Sequence, residues 1–156
     1  VKIIYSNQPI PKVFPPQSVF LAGPTPRDKQ TPSWRPEAIS ILKKLKYKGS
    51  VFYPEWSDKS AKIDYDSQVE WEHTGLTKCE WIVFWIPRNL KNMPAFTTNV
   101  EFGRFAHQHN VFYGRPIDAP GNRYLDWYYK KCHPNECCSA CCNIYNNLAD
   151  LLKEIV

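Results

Sequence analysis

At 156 residues the chain can bury one sizeable core and is short for two, and no stretch reaches the ~18 consecutive apolar residues of a membrane span. Its formal charge of +5 is modest, and the densest basic cluster, Lys43, Lys44, Lys46 and Lys48, lies on one predicted helix as a solvated face. A nucleic-acid polymer is therefore not the expected partner. The opening Val1-Lys2-Ile3-Ile4-Tyr5 is too short for a signal peptide, which makes a cytoplasmic protein with no membrane attachment the expectation.

Residues 1–17 read as an edge strand and an extended lead-in, because Gln8-Pro9-Ile10-Pro11 and Pro15-Pro16 cannot sit in a central strand. Ser18-Val19-Phe20-Leu21-Ala22 is the first core strand. Gly23-Pro24-Thr25-Pro26-Arg27-Asp28 breaks it, and a glycine there either lets a ligand approach the backbone or simply makes the turn. Ser33 as N-cap, Pro36 in the first turn and apolar residues at Ala38, Ile39, Ile41, Leu42 and Leu45 predict a helix that Gly49 ends. Val51-Phe52-Tyr53 predicts a strand that stops at Pro54-Glu55, and residues 57–65 a polar surface loop.

Asp66 is the expected cap of the next helix, on which Gln68, Trp71, Glu72 and Gly75 fall at i, i+3, i+4 and i+7. An indole, an amide and a carboxylate together suit a pocket wall better than a core; the alternative is an amphipathic helix with Glu72 in water. Trp81 to Ile86 is a continuous apolar run, as in a central parallel strand covered on both faces. The loop Pro87 to Pro94 leads to Thr97-Thr98-Asn99-Val100-Glu101-Phe102-Gly103, and Phe102 to His109 has the residue types of a helix. Glu101 would then lie in a first turn, kept ionised by orphan N–H groups to the extent of ~0.3–1 kcal/mol, as a plain cap or as a reactive group. Asn110 to Gly114 predicts another strand, and Arg123 to Lys131 and Asn143 to Ile155 two more helices. The alternation predicts a single domain over 1–156 with a mostly parallel central sheet between helices.

Several of these stretches, in this order, resemble the nucleoside 2-deoxyribosyltransferase-like family. They are Phe20-Leu21-Ala22-Gly23-Pro24, the Trp34-Arg35 helix start, Gln68-x-x-Trp71-Glu72-x-x-x-Leu76, Phe84-Trp85-Ile86-Pro87 and Thr98-x-x-Glu101-x-Gly103, spread over about residues 18–116. The resemblance implies a flavodoxin-like, Rossmann-like three-layer α/β fold and cleavage or transfer of the N-glycosidic bond of a nucleoside or nucleoside 5′-monophosphate. It implies no cofactor, a small-molecule substrate, and a homodimer or larger homo-oligomer. By position, Glu101 matches the nucleophile that forms a glycosyl ester with retention, Glu72 the residue that handles the proton of the base, and Gly23 the sugar-side loop. Two carboxylates suit that chemistry, since one must be ionised to attack and the other must protonate a poor leaving group. A retaining mechanism would hold them ~5 Å or somewhat more apart, so that the charge of one raises the pKa of the other.

The chain departs from the family in having Phe20 where many members have a tyrosine, and in having no aspartate among Phe96, Thr97, Thr98 and Asn99; Asn99 could replace it as a hydrogen-bonding group. Gly23, Pro24, Gln68, Thr98 and Asn99 are further candidate substrate contacts. Arg27, Arg35 and Arg88 fall at element ends where each could grip a 5′-phosphate or form an ordinary salt bridge. Trp34, Trp56, Trp71 and Trp85 could stack on a base or belong to the core, with Trp71 the favoured candidate.

Five of the six cysteines lie in a Cys-rich insert, residues 132–142, outside the resemblance. Cys138-x-x-Cys141 with Cys132 or His133 could hold zinc, form a redox pair, or pack between the terminal helices. Besides the enzyme, two other readings stay open: a nucleotide-binding protein on the same fold without turnover, and a metal-dependent regulatory protein that uses this cluster.

Overall fold

The computed structural model describes residues 1–57, 64–134 and 143–156. In chain order the elements are β1 (Lys2–Tyr5), β2 (Ser18–Ala22), α1 (Arg35–Lys44), β3 (Ser50–Tyr53), α2 (Tyr65–Lys78), β4 (Trp81–Trp85), α3 (Phe96–Phe105), β5 (Val111–Gly114), α4 (Arg123–Cys132), β6 (Ile144–Tyr145) and α5 (Leu148–Lys153). The six strands form one sheet in the order β1-β3-β2-β4-β5-β6, and every pairing is parallel. With β1 set aside as an added edge, the order is that of a flavodoxin-like doubly wound sheet. The winding reverses at β2, which has β3 on one side and β4 on the other.

Strands buried on both faces are largely apolar, and β2 to β5 follow this: nearly every residue in them is buried, and the polar Ser18 and Ser50 stand only at strand starts. Their side chains alternate between two layers. Phe20, Phe52, Ile82, Phe84 and Tyr113 pack with Trp71 and Leu76 of α2, Phe102 of α3 and Tyr129 of α4. On the other face Val19, Leu21, Val51, Val83 and Phe112 pack with Ala38 and Leu42 of α1 and with Leu151 and Leu152 of α5. Each such fully buried aliphatic or aromatic side chain contributes roughly 1.5–3 kcal/mol. The proline-rich lead-in also lies on the first of these faces, where Phe14 stacks on Phe52 at 4.9 Å between ring centroids.

Several boundaries differ from the sequence-based expectation. The helix α1 ends at Lys44, and the left-handed residue after it is Lys46 (φ 58°), not Gly49. Gly49 is small for another reason, since a Cβ there would lie 1.9 Å from the Gln17 carbonyl oxygen. Trp34 occupies the N-cap position of α1, while Ser33 Oγ accepts from the Arg35 N–H at 3.2 Å. The helix α2 is capped by Asp64, which accepts from the Ser67 N–H, and not by Asp66. Of the predicted polar loop 57–65, residues 58–63 lie outside the described residues. The last predicted helix divides: Ile144 and Tyr145 form β6 beside β5, and Asn147 caps a short α5 by accepting from the Ala149 and Asp150 N–H groups. No described helix is long and apolar enough to cross a membrane.

Candidate active site

In a doubly wound sheet, neighbouring strands whose crossovers lead to opposite faces leave a crevice between their carboxyl ends. Here that point lies between β2 and β4, and a cleft of about 250 Å³ opens there. Phe20, Ala22 and Gly23 of β2 and its exit form the floor, with Pro54 from the exit of β3. The helix α2 turns Tyr65, Gln68, Val69 and Glu72 toward the cleft at i, i+3, i+4 and i+7. Facing them are Ala95 and Phe96 at the start of α3, and Thr98 and Glu101 within it.

Glu72 and Glu101 are separated by 29 positions, yet they line one cavity from opposite walls. Glu101 does not stand where the sequence suggested. The helix α3 begins at Phe96, so Glu101 lies in its second turn, out of reach of the orphan N–H groups that would hold it ionised. Burial pushes its pKa up to about 7, and the charge of Glu72 pushes in the same direction, with Arg35 opposing both. The carboxyl of Glu72 is also raised, first by burial; Gln68 and Arg35 counteract this. Gln68 does so by donating Nε2–H to Glu72 Oε1 at 2.9 Å. Burial thus raises both carboxyls, and at Glu101 the charge of Glu72 adds to it.

The cleft's shape depends on an arginine and a glycine. Arg35 is 1% exposed, and its guanidinium donates to the carbonyl oxygens of Leu21 (3.1 Å) and Gly23 (2.6 Å), to Thr25 Oγ1 (3.1 Å) and to Glu55 Oε1 (2.6 Å). It therefore fixes the loop after β2 and ties it to the exit of β3. Gly23 has φ +147°, and a Cβ there would lie 2.1 Å from the Trp85 carbonyl oxygen. Its missing side chain is what lets the ends of β2 and β4 meet. Ala95 adopts a left-handed conformation (φ 63°, ψ 38°) and starts α3 without any side-chain cap. Such a residue stores on the order of 1 kcal/mol of strain, a common feature of ligand-facing backbone.

A family model for nucleoside 2-deoxyribosyltransferase-like proteins matches residues 16–117, a stretch that holds β2 through β5 and both carboxylates. The chain belongs to the nucleoside 2-deoxyribosyltransferase-like family. A search of curated proteins found no match. Among solved structures, a conserved protein from Enterococcus faecalis V583 shares the fold, with a TM-score of 0.54 and 13% identity over 88% of this chain and 96% of that one.

Within this member of the family, the expected contacts divide into two groups. Gly23, Pro24, Arg27, Arg35, Gln68, Glu72, Thr98 and Glu101 line the cleft together. Trp71, Trp34, Arg88 and Asn99 do not. Trp71 is buried against Phe20 and Phe52, with ring centroids 6.0 and 5.8 Å away, and its indole N–H has no hydrogen-bond partner among the described residues. Trp34 lies in the opposite core layer and donates to the Pro24 carbonyl oxygen at 3.1 Å. Arg88 is buried and bonded to Asn122 Oδ1, the Pro94 carbonyl oxygen and Asn99 Oδ1, so both Arg88 and Asn99 brace the loop before α3. Neither side chain lines the cleft.

Among the described residues, Arg27 is the exposed cation at the cleft, with its guanidinium 5.0 Å from the centre of the Phe96 ring. Phe96 and Tyr65 are 66% and 75% exposed and flank the opening, an arrangement open to stacking on a planar ligand that the sequence reading did not single out. The signal for Tyr65 was its spacing of three from Gln68 and seven from Glu72. Of the zinc candidates, Cys138 and Cys141 lie outside the described residues. His133 is buried with Nε2 at 2.6 Å from the Ala106 carbonyl oxygen, and Cys132 is half-buried. Among the described residues no group of three or more His, Cys, Asp or Glu side chains is placed to hold a metal ion.

Proposed function

We propose that the protein cleaves or transfers the N-glycosidic bond of a nucleoside or nucleoside 5′-monophosphate through a covalent ester on Glu101, with retention at the sugar. The observation that carries this reading is the convergence of Glu72 and Glu101 on one cleft at the sheet's switch point, in a member of this family. A carboxylate oxygen of Glu101 attacks C1′. The C1′–N bond breaks with its electron pair going to the base, which takes a proton from Glu72. Water or an acceptor base then loses a proton to Glu72, attacks C1′ and frees Glu101.

The charge state suits this sequence of steps. When the pair carries a single proton, positive charge developing at C1′ favours an ionised Glu101 and leaves that proton on Glu72. Turnover should therefore follow a bell-shaped pH profile. It falls on the alkaline side as the pair loses its last proton with an apparent pKa of about 7, and on the acidic side as both carboxyls become protonated. A plateau extending well above pH 9 would contradict that assignment.

The direct test incubates the protein with a panel of deoxynucleosides and nucleoside monophosphates, follows free base, and seeks a glycosyl adduct on the Glu101 peptide by mass spectrometry. Base release with an adduct on Glu101 is expected; release with the sugar on another residue would refute the assignment. Phe20, which lines the cleft without a hydroxyl to offer a sugar, favours a second reading, a nucleotide-binding protein without turnover. Saturable binding of a nucleotide with no base released would mark that case.

A further inference from the structure

We infer that Trp56 is a positioning residue for Glu72, acting through the side-chain amide of Gln68. The inference deepens the glycosyl-transfer reading and rests on it. Trp56 lies in the segment after β3, and its indole Nε1–H donates to Gln68 Oε1 at 3.0 Å. Gln68 Nε2–H in turn donates to Glu72 Oε1 at 2.9 Å. An indole N–H can only donate. The end of the amide facing Trp56 must therefore be its carbonyl oxygen, and the end facing Glu72 must be its NH₂ group.

Without that indole only the charge on Glu72 sets the choice. Rotation about the terminal bond of glutamine is soft and nearly two-fold, so the amide could turn over and present Oε1 to Glu72. Carbonyl oxygen against carboxylate is repulsive unless the carboxyl is protonated. Trp56 thus favours the ionised form of Glu72, the form that takes the proton of water or of the acceptor base in the second step. Besides each other, the charged group that acts on both carboxyls is Arg35 from α1.

The placement of Trp56 is itself braced on both sides. Glu55 Oε1 accepts from Ser33 Oγ and Arg35 Nη1, both at 2.6 Å. Ser57 is tied to Asn7, its N–H donating to Asn7 Oδ1 at 3.3 Å. The indole also walls a neighbouring cavity of about 320 Å³ that shares Thr25, Arg27, Pro54 and Gln68 with the cleft. A group bound in that cavity would lie against the residue that orients Glu72's partner.

The test is a double-mutant cycle of Trp56→Phe and Gln68→Met, read by the titration of the Glu72 carboxyl carbon in NMR of the unliganded protein and by the pH profile of base release. Trp56→Phe keeps the ring and removes the N–H. It should raise the Glu72 midpoint by about half a unit, a three-fold change in proton affinity, and move the acidic limb of the profile alike. In the Gln68→Met background the same substitution should change nothing. An unmoved Glu72 titration in Trp56→Phe, or an equal shift with and without Gln68, would overturn the inference. Because the titration needs no turnover, a protein that releases no base from any nucleoside would sink the glycosyl-transfer reading while leaving this measurement decisive.

Discussion

Glu101→Gln should lower base release by about 10⁴-fold or more and, at the same time, make the folded protein more stable at neutral pH. The loss follows from the role: an amide oxygen is too weak a nucleophile to form the ester, and Gln68, Glu72 and the cleft's shape cannot supply one. The gain follows from burial. A carboxyl whose pKa rises from its ordinary 4.5 to about 7 on folding binds a proton in the folded chain that the unfolded chain has already released. Its stabilising share is fully present below pH 4.5 and is lost as the pH climbs through 7. Well above pH 7 the wild-type protein carries a penalty on the order of 3 kcal/mol that Glu101→Gln removes. Denaturant unfolding of both proteins at pH 4.5 and pH 8 checks it. The difference should be small at the lower pH and favour the variant at the higher one. If the variant unfolds more readily at pH 8, Glu101 is not a strained carboxyl in a dry cleft.

Gly23→Ala should be the most damaging single-methyl addition in the cleft, costing roughly 3 kcal/mol or more and lowering the melting temperature by about 10 °C. Two effects combine. The backbone angle of +147° is one that side chains rarely adopt, and the new Cβ would stand 2.1 Å from the Trp85 carbonyl oxygen and 2.9 Å from Trp34. Relief would require the ends of β2 and β4 to separate, and these carry the floor of the cleft. Thermal unfolding measures the cost, and a melting point within 2 °C of wild type would show that the two strand ends are not in such close contact. Gly103→Ala, where an added Cβ meets nothing within 4 Å on the exposed face of α3, is the matched control.

The layers of the fold were legible because burial on both faces leaves an unmistakable trace, as in Trp81-Ile82-Val83-Phe84-Trp85, where no polar residue interrupts. The carboxylate pair was legible for a different reason, the order of motifs around Gln68-x-x-Trp71-Glu72 and Thr98-x-x-Glu101. What stayed hidden were features with no local signal. The helix α3 starts at a left-handed alanine with no capping side chain, so nothing in Pro94-Ala95-Phe96 announces it, and Glu101 was expected a turn too early. Trp71 was grouped with Glu72 because both fit a stretch with spacings of three and four. Adjacent helical residues point about 100° apart, however, and the cleft took the row of Tyr65, Gln68, Val69 and Glu72, while Trp71 and Gly75 went to the sheet. Ile144 fitted a helical spacing equally well as a two-residue strand, and only pairing with β5 decides between them. The arginines show the same limit. Nothing along the chain distinguishes Arg35 and Arg88, held by backbone carbonyls and neighbouring side chains, from Arg27, which remains at the opening.

That division of the arginines gives the cavity a polarity. Its depth is acidic, because Arg35 is occupied by Glu55 and by the loop it holds, whereas its threshold carries the cation of Arg27. Among the described residues this places positive charge at the entrance and carboxyls within, a gradient that would turn the anionic end of a molecule outward before any specific contact forms.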